Sequence, residues 1–409
     1  YTFTDVAPED DPNYDPAQRS SSKVFTCADV DNSPVEVNMY VWDEKGNADF
    51  CLVYLTIVDN TGACDGTNRP DIAGQITNEQ GSPVEDVETT LESNLPEYPR
   101  TEMSDEAGSY AFYENPMNMN YAITASKDVD YLNGVSTLDL VKIQRHLLGL
   151  ETLSSPYKLI AADVNADDAI KASDLTQLRK LILGVIAELP TNESWRFVDA
   201  AQALTMDTPL ADVDYVVNIN DLQSDMMSGD MVAVKIGDVT ENATTNLQDQ
   251  QIEVRSSNVL TLTMEEQTVE AGETFAVGFT SEDFENVFGY QFTMELNGLT
   301  FAGIESGAVV MQEANVGMLS ENVITMSYSN SQARSAQSSE AIFAVSFTAN
   351  KSGNVSEMIT ITSKVTPAEA YVSTSLNTSS GTDLEIRDVV IETRGAITEV
   401  DASELYQNE

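Results

Sequence analysis

A helix-periodic segment occurs twice in the middle of the chain, and this duplication constrains the fold more than any other feature. STLDLVKIQRHLLG (136–149) returns as ASDLTQLRKLILG (172–184), with a spacing of 35 residues between the closing glycines Gly149 and Gly184. Apolar residues recur at helical spacing within each copy, whereas much of the remaining sequence alternates as strands do. The repeat predicts two similar loop–helix units within a mainly β chain.

An acidic loop of twelve residues, DVNADDAIKASD (163–174), directly precedes the second helix. Calcium takes about six to eight oxygen ligands. Acidic or amide side chains occupy alternate positions at the start of this loop, which turns them inward on a tight loop. Position 6, usually Gly in such loops, is Asp168, so we expect a left-handed backbone there, which Asp tolerates better than most residues. The spacing therefore predicts a calcium site. Its proposed ligands are Asp163, Asn165, Asp167, Ala169 (through its carbonyl) and Asp174.

The loop before the first helix, DVDYLNGVSTLD (128–139), fits calcium less well. Its fifth position is Leu132, which cannot act as a ligand. Either Asn133 or Ser136 compensates, or the loop binds calcium weakly or not at all. For both copies the alternative is a pair of capped helices whose acidic N-termini are favoured by the helix dipole alone. The proposed ligands in this loop are Asp128, Asp130, Gly134 and Asp139.

Together the two loop–helix segments resemble the dockerin type I family. The resemblance implies calcium in both loops and paired helices that dock onto a cohesin domain. The sequence departs from the family after Gly184, where SWRFVDA (194–200) and DMVAVKIGDVTEN (230–242) form a long extension. We expect this extension to pack against the helices through Trp195 and Phe197. The family's recognition positions fall on Thr137, Leu138, Gln144 and Arg145 in the first copy and on Ala172, Ser173, Arg179 and Lys180 in the second.

Composition limits the chemistry of the chain. Its 409 residues carry a net charge of −47, with 67 Asp plus Glu against 20 Lys plus Arg. Such a field repels nucleic acid and anionic membrane and favours hard divalent cations, although a solvated acidic surface alone also explains it. His146 is the only histidine, which rules out a His-rich zinc site, and we interpret it as a surface helix residue. We therefore predict no enzymatic activity, and calcium as the cofactor.

Residues 1–66 have the pattern of strands. VEVNMYVWD (35–43) and FCLVYLTIVD (50–59), joined by a turn at EKGN (44–47), resemble the end of a hyalin-repeat or immunoglobulin-like module. The earlier strands of such a module are missing, which would leave an open sheet edge. We expect sequence upstream of Tyr1.

All three cysteines lie within this first module. Their proximity predicts a local disulfide formed in an oxidising compartment, with one thiol left over. Cys27 with Cys51 is the first choice of pairing, and Cys51 with Cys64 is the second.

Residues 67–125 form a second β unit. IAGQITNEQGSPVEDVETTL (72–91) and SDEAGSYAF (104–112) resemble the carboxypeptidase-regulatory-like, or prealbumin-like, sandwich through the patterns I-x-G-x-I, G-x-P-V-x-x-V and D-x-x-G-x-Y-x-F. In that family the module is usually a spacer or stalk. Residues 126–245 would then hold the dockerin-like helical domain and its extension.

After a polar linker at 246–259, residues 260–394 are rich in strands again. The patterns G-E-x-x-x-V, G-x-Q-F-x-x-x-L and F-x-V-x-F follow one another in the order of a cohesin domain. The resemblance implies a jelly roll whose flat face can bind a dockerin, and the alternative is a further stalk domain. The tail at 395–409 ends in ELYQNE (404–409), which resembles the opening of a type IX secretion sorting domain and implies the outer face of a Gram-negative cell.

These features predict a mainly β multidomain chain of immunoglobulin-like, prealbumin-like and cohesin-like modules with a small α dockerin-like domain. No apolar run approaches the roughly 18 residues that would span a bilayer. We expect a structural or adhesive protein that is secreted or held at the cell surface. It would assemble with a protein partner, or with itself into filaments, through dockerin-like, cohesin-like or open-edge surfaces. The alternative is an accessory or scaffolding subunit of a polysaccharide-degrading complex, or the non-catalytic part of a larger secreted enzyme.

Overall fold

Strands dominate the computed structural model, as the alternating sequence predicts. The model describes residues 2–4, 22–43, 45, 48–59, 69–208, 210–246, 258–374 and 384–395. None of the helices in these ranges is long and apolar enough to cross a membrane. The predicted sorting signal at 404–409 lies outside the described residues.

The N-terminal strands form an antiparallel sheet in the order β1-β2-β3. Its elements are β1 (Thr2–Thr4), the short helix α1 (Cys27–Asp31), β2 (Val35–Trp42) and β3 (Ala48–Leu55). Cys51 lies on β3 opposite Met39 of β2, where its thiol is exposed and free. Cys27 is disulfide-bonded, so the predicted pair of Cys27 with Cys51 is wrong, because the strand pairing leaves the Cys51 sulfur at the surface. The second choice is wrong for the same reason, and Cys64 lies outside the described residues.

A sandwich of two four-stranded sheets follows, in the orders β7-β4-β11-β9 and β10-β8-β5-β6. Its last three strands come from the extension beyond the helices, and β11 pairs in parallel with β4. The strand pairing therefore joins residues on both sides of the predicted boundary at 125. The strands are β4 (Ile72–Asn78), β5 (Glu88–Glu92), β6 (Arg100–Met103), β7 (Ser109–Phe112), β8 (Tyr121–Ser126), β9 (Trp195–Asp199), β10 (Val217–Ile219) and β11 (Met231–Lys235).

Trp195 and Phe197 do not pack on the helices as expected. Both lie in the core between the two sheets, together with residues such as Ile72. Successive side chains of a strand point to opposite faces, so their neighbour Val198 on β9 faces the helices instead, as does Val234 on β11. The extension thus packs on the helices through the other face of the same strands.

Three helices lie between β8 and β9: α2 (Thr137–Leu147), α3 (Pro156–Ala162) and α4 (Ala172–Ile182). The duplicated glycines end α2 and α4 in the same way. Gly149 and Gly184 have φ of 65° and 68°, and the residue after each donates its amide to a carbonyl five residues back, on Arg145 and Lys180. Such a left-handed residue closes a helix C-terminus at low cost only when it is Gly.

The C-terminal unit is a second sandwich. A seven-stranded sheet in the order β12-β23-β22-β15-β18-β17, with β21 beside β15, packs on a sheet in the order β14-β19-β16, and β13 pairs with β20. Apolar side chains such as Phe292 and Phe347 fill the core between the sheets. The strands are β12 (Val259–Glu265), β13 (Thr268–Val269), β14 (Thr274–Phe279), β15 (Val287–Leu296), β16 (Leu299–Ser306), β17 (Val316–Ser320), β18 (Val323–Arg334), β19 (Phe343–Ala349), β20 (Gly353–Asn354), β21 (Ile359–Thr362), β22 (Glu369–Ser373) and β23 (Leu384–Arg394).

Candidate calcium loops and docking interface

The loop before α4 gathers three carboxylates at one point. Asp163, Asp167 and Asp174 each place a carboxylate oxygen within 4.8 Å of the other two, and among the described residues this is the only such group of His, Cys, Asp or Glu. Asp163 and Asp174 are buried, whereas Asp167 is exposed. Asp168 has the expected left-handed backbone, with φ of 61°. The loop therefore forms the turn that its spacing predicts.

Hydrogen bonds inside this loop aim its oxygens at a common centre. Asp163 accepts the amides of Asp167 at 3.1 Å and Asp168 at 3.0 Å. Asp174 accepts the amides of Asn165 at 3.0 Å and Lys171 at 2.8 Å. These are bonds within the loop itself, and they leave lone pairs free on each carboxylate. The two other predicted ligands, Asn165 and Ala169, are half-buried in the same loop, and Oδ1 of Asn165 accepts the amide of Asp167 at 3.0 Å.

The charges in this loop suit a divalent cation. Burial raises the pKa of Asp163, and the nearby Asp174 and Asp167 carboxylates raise it further. Lys171 offsets only part of this charge, through an exposed ion pair of 2.9 Å with Asp167. A hard cation with oxygen ligands would relieve the remaining repulsion. The residues of the second loop therefore fit calcium.

The loop before α2 does not gather its predicted ligands in this way. Asp139 at its end accepts the amides of Val239 at 2.9 Å and Thr240 at 3.1 Å, both from the segment after β11. Burial raises the pKa of Asp139, as does the neighbouring Asp238. Asp128 accepts the amide of Ser194 at 2.7 Å. Protein donors from the extension thus take the place that a metal would need.

The two remaining predicted ligands of the first loop are also placed differently. Asp130 is exposed, with φ of 50°. Gly134 has φ of 73°, and a Cβ there would meet the backbone nitrogen of Ala243 at 2.6 Å. Leu132, at the position that lacks a ligand, is 37% exposed. These side chains do not converge on one point.

The predicted recognition residues of the first copy face the C-terminal sandwich of the same chain. Thr137 donates its amide to Oε1 of Gln291 at 2.7 Å, and its hydroxyl shares a hydrogen bond of 2.7 Å with that of Ser327. Arg145 donates to the carbonyl of Ser331 at 2.6 Å, and its guanidinium lies 5.3 Å from the ring centroid of Phe288. Thr137, Leu138 and Arg145 are buried, and Gln144 is half-buried.

The C-terminal end of α4 docks on the same sheet. The hydroxyls of Thr325 and Thr366 donate to the carbonyls of Leu183 at 2.6 Å and Ile182 at 2.7 Å. Arg179 donates to the hydroxyl of Ser329 at 2.6 Å. These contacts satisfy carbonyls that the end of a helix leaves without intrahelical partners.

The second copy of the recognition set is divided. Arg179 takes part in the docking contact, whereas Ala172, Ser173 and Lys180 are exposed. His146 lies near the end of α2, where its Nδ1 accepts the amide of Leu153 at 3.2 Å, and burial lowers its pKa. That contact holds the loop after the helix, so His146 has a local structural partner.

The docked face of the seven-stranded sheet is polar and buried, and its residues were not among those that the sequence singled out. Glu369, Gln291 and Ser327 form one row across β22, β15 and β18. All three are nearly inaccessible to solvent, with Gln291 and Ser327 at 0% exposure and Glu369 at 3%. Small uncharged side chains alternate with core residues along β15 and β18, where a solvated face would carry more Lys and Glu. That shortage of charge is the sequence signal for a covered face.

Two kinds of known protein resemble parts of this chain. Residues 126–183, which span both loops and α2 to α4, match the dockerin type I domain. No curated protein matches the chain.

Several solved structures of cohesins are similar to the chain. They include the third cohesin of ScaC with the ScaB dockerin from Acetivibrio cellulolyticus, at 13% identity over 32% of this chain and 99% of that chain, with a TM-score of 0.20. A type I cohesin–dockerin complex from Clostridium thermocellum, Coh-OlpC-Doc435, has 11% identity over 36% of this chain and 100% of that chain, with a TM-score of 0.25. A non-cellulosomal cohesin from Archaeoglobus fulgidus has 12% identity over 37% of this chain and 100% of that chain, with a TM-score of 0.21. Because these scores are low, the description of the C-terminal sandwich rests on its own strand pairing.

Proposed function

We propose that this chain is a calcium-stabilised, non-catalytic structural segment of a secreted or cell-surface protein, in which a dockerin-like helix pair fastens one sandwich to the next. The observation that carries the proposal is the docking interface described above, in which α2 and the end of α4 cover the polar face of the C-terminal sandwich. Predicted recognition residues Thr137, Arg145 and Arg179 all contact that sandwich. The dockerin-like face would then bind the other sandwich of the same chain before it binds any separate protein.

A tether between the two units favours this internal contact over an external one. Residues 247–257 connect them, and a short linker gives the second unit an effective concentration of roughly millimolar order at the first. A free partner at lower concentration competes poorly with it. The expected consequence is a rigid stalk in which neighbouring modules hold a fixed orientation.

Calcium at the second loop would support that rigidity. Dockerin type I domains bind calcium, and the fit of Asp163, Asp167 and Asp174 supports a site there. The loop leads directly into α4, whose far end carries the docked carbonyls of Ile182 and Leu183. We therefore expect calcium binding to favour the docked arrangement of α4.

A second candidate function is recruitment into a larger assembly, and the exposed part of the recognition set favours it. Ala172, Ser173 and Lys180 remain open to solvent while the rest of the set is covered. A protein partner could bind there without displacing the sandwich. Dockerin domains occur in extracellular and cell-surface proteins, which agrees with either candidate, and the type IX route remains a prediction.

The proposal is tested by cutting the tether. A protease site inserted within 247–257 allows the chain to be nicked after folding. We expect the two halves to elute together from a sizing column in calcium, and Arg145→Glu with Thr325→Val to separate them. Thr348→Val, a change at a half-buried position of β19 whose hydroxyl meets that of Thr274 at 3.2 Å, away from the interface, is the matched control.

Separation of the wild-type halves at micromolar concentration would contradict an internal fastening. Added Ala172→Asp and Lys180→Glu substitutions should leave the nicked complex intact. If the same two substitutions abolish capture of a protein partner by the intact chain, they support the second candidate function, recruitment into a larger assembly.

A further inference from the structure

The first loop departs from the dockerin pattern in a specific way. The family resemblance implies calcium in both loops, but the residues of the first loop do not fit it. We infer that the first loop takes no metal ion and that the side-chain ammonium of Lys235, on a strand of the neighbouring sheet, supplies the positive charge there instead.

Among the described residues, Asp128, Asp130 and Asp139 do not gather their carboxylates within 4.8 Å of one another, and two of the three bond the extension. Asp139 bonds the amides of Val239 and Thr240, and also accepts the Thr240 hydroxyl at 3.1 Å. Asp128 accepts the amide of Ser194. The extension meets this loop at further points, because Asn133 accepts the amide of Thr244 at 2.9 Å and a Cβ at Gly134 would meet the backbone of Ala243.

Lys235 enters this region from the end of β11. Its Nζ donates to the Ser194 hydroxyl at 2.6 Å, to the carbonyl of Tyr131 in the loop at 3.2 Å and to the carbonyl of Ser194 at 3.4 Å. The ammonium also lies 5.8 Å from the ring centroids of Tyr131 and Trp195. Three oxygen acceptors and two aromatic faces form a complete site for an ammonium group.

Acidic groups surround this ammonium. Burial lowers the pKa of Lys235 to about 7, and the charges of Asp238, Asp130 and Asp128 oppose that change. Lys235 is only 4% exposed, so bulk water screens these charges little. The second loop has no buried cation of this kind, because Lys171 meets Asp167 at the surface.

The two loops thus reach similar charge balance by different means. The second loop depends on a calcium ion that can dissociate, whereas the first loop is balanced by the covalently attached ammonium of Lys235. We therefore expect the α2 end of the dockerin-like unit, with its Thr137 contact, to hold its structure without calcium.

Calcium stoichiometry tests the inference directly. Isothermal titration of the intact chain at pH 6, where Lys235 is protonated, should give one tightly bound calcium per chain. Asp167→Asn should weaken that binding at least tenfold, and Asp130→Asn, the same change at an exposed carboxylate of the first loop, should leave it unchanged. Two tight sites in the wild type, or loss of one on Asp130→Asn, would overturn the inference.

A second arm uses a chain whose second loop is disabled by Asp163→Asn and Asp167→Asn. In that background we expect thermal stability at pH 6 to be insensitive to calcium while Lys235 is present. Adding Lys235→Met should lower the melting temperature by several degrees both with and without millimolar calcium, because the acidic groups then lack their cation and the oxygens of the loop still do not converge on a metal. Lys158→Met, which removes a lysine that pairs with Glu241 at 3.0 Å, is the control and should produce no calcium response.

Two outcomes of this arm would refute the role of Lys235. One is calcium sensitivity of the disabled background while Lys235 is intact. The other is a Lys235→Met chain that melts at the background temperature with and without calcium. If Lys235→Met does not fold, the stoichiometry of the wild type and of Asp130→Asn still decides the question.

Discussion

The amide of Thr137 and the side chain of Gln291 are 154 residues apart in sequence and form a buried hydrogen bond of 2.7 Å. Thr137 is the first residue of α2, so its amide has no partner within the helix. Gln291 lies beside the buried carboxylate of Glu369, whose Oε2 accepts the hydroxyl of Tyr371 at 2.9 Å. A negative group beneath a helix N-terminus is favourable, so the sandwich completes the helix end.

Removing the hydroxyls that meet α4 should weaken the interface without disturbing the core. Thr325→Val with Thr366→Val deletes the donors to Leu183 and Ile182 while conserving volume. At about 0.5–1.5 kcal/mol for each hydrogen bond, we expect a loss of about 1–3 kcal/mol in the free energy of unfolding, measured by urea denaturation. An unchanged midpoint would show that these contacts add no stability, and Thr348→Val provides the control outside the interface.

Calcium should stabilise the wild-type chain and not a chain with Asp163→Asn and Asp167→Asn. Binding at about one hundred times the dissociation constant adds about 2.7 kcal/mol to the folded state. Thermal melts in calcium and in chelator measure the difference. Asp207→Asn, an exposed change outside both loops, should keep the full calcium response, and a wild type that melts alike in both buffers would contradict the site.

Local patterns predicted the helices and the turn of the second acidic loop because each depends on neighbours in sequence. The duplicated segments become α2 and α4, and Asp168 adopts the left-handed turn that its loop requires. Which residues form the docked face was not predicted, because the alternation of Gln291 and Ser327 with core residues also fits a solvated face. Their burial depends on helices more than a hundred residues away.

The first loop shows the same limit. Its acidic spacing resembles a calcium site, but Lys235 and the amides of Val239 and Thr240 reach it from about a hundred residues along the chain. The extension supplies these groups only because β11 pairs with β4 across the helical unit. Short strands such as β9 and β11 give little periodic signal, so this return of the chain could not be derived from pattern alone.

Arg145 should not tolerate replacement by lysine. Its guanidinium donates at once to Glu151 at 2.8 Å and to the carbonyl of Ser331 at 2.6 Å, and it is 2% exposed. A lysine cannot make both contacts in the same plane. We expect Arg145→Lys to lower the free energy of unfolding by about 1–2 kcal/mol.

Lys142→Arg is the matched control for Arg145→Lys. Lys142 also pairs with Glu151, at 3.1 Å, but it is more exposed. Its replacement should change stability by less than about 0.5 kcal/mol. Equal effects of the two substitutions in urea denaturation would remove the special role of Arg145 in docking.

Cys51 should react with a maleimide in the folded protein, because its thiol is exposed and free on β3. Peptide mapping after labelling without reductant should find the adduct on the Cys51 peptide and none on the Cys27 peptide. Cys51→Ser should remove that adduct while leaving the melting temperature within a degree or so of the wild type. An adduct on Cys27 would contradict its disulfide bond.

The pair of Glu79 and Glu241 should give stability a specific dependence on pH. Partial burial and a hydrogen bond with Glu241 raise the pKa of Glu79 from 4.5 to about 7, against the opposing hydrogen bond from Ser155. The folded state therefore holds a proton that the unfolded state releases between these values. Its stabilising effect is complete below pH 4.5 and is lost as the pH rises through 7.

Glu79→Gln should remove this dependence, because the amide keeps a hydrogen-bonding group and cannot titrate. We expect the urea midpoints of wild type and variant to run together below pH 4.5, and the wild type to lose stability relative to the variant as the pH rises through 7. Glu88→Gln, an exposed change on β5, should run parallel to the wild type. Since Glu79 joins the first sandwich to α3 through the Ser155 hydroxyl at 2.6 Å, parallel curves for Glu79→Gln and wild type would show that no proton is held at this junction.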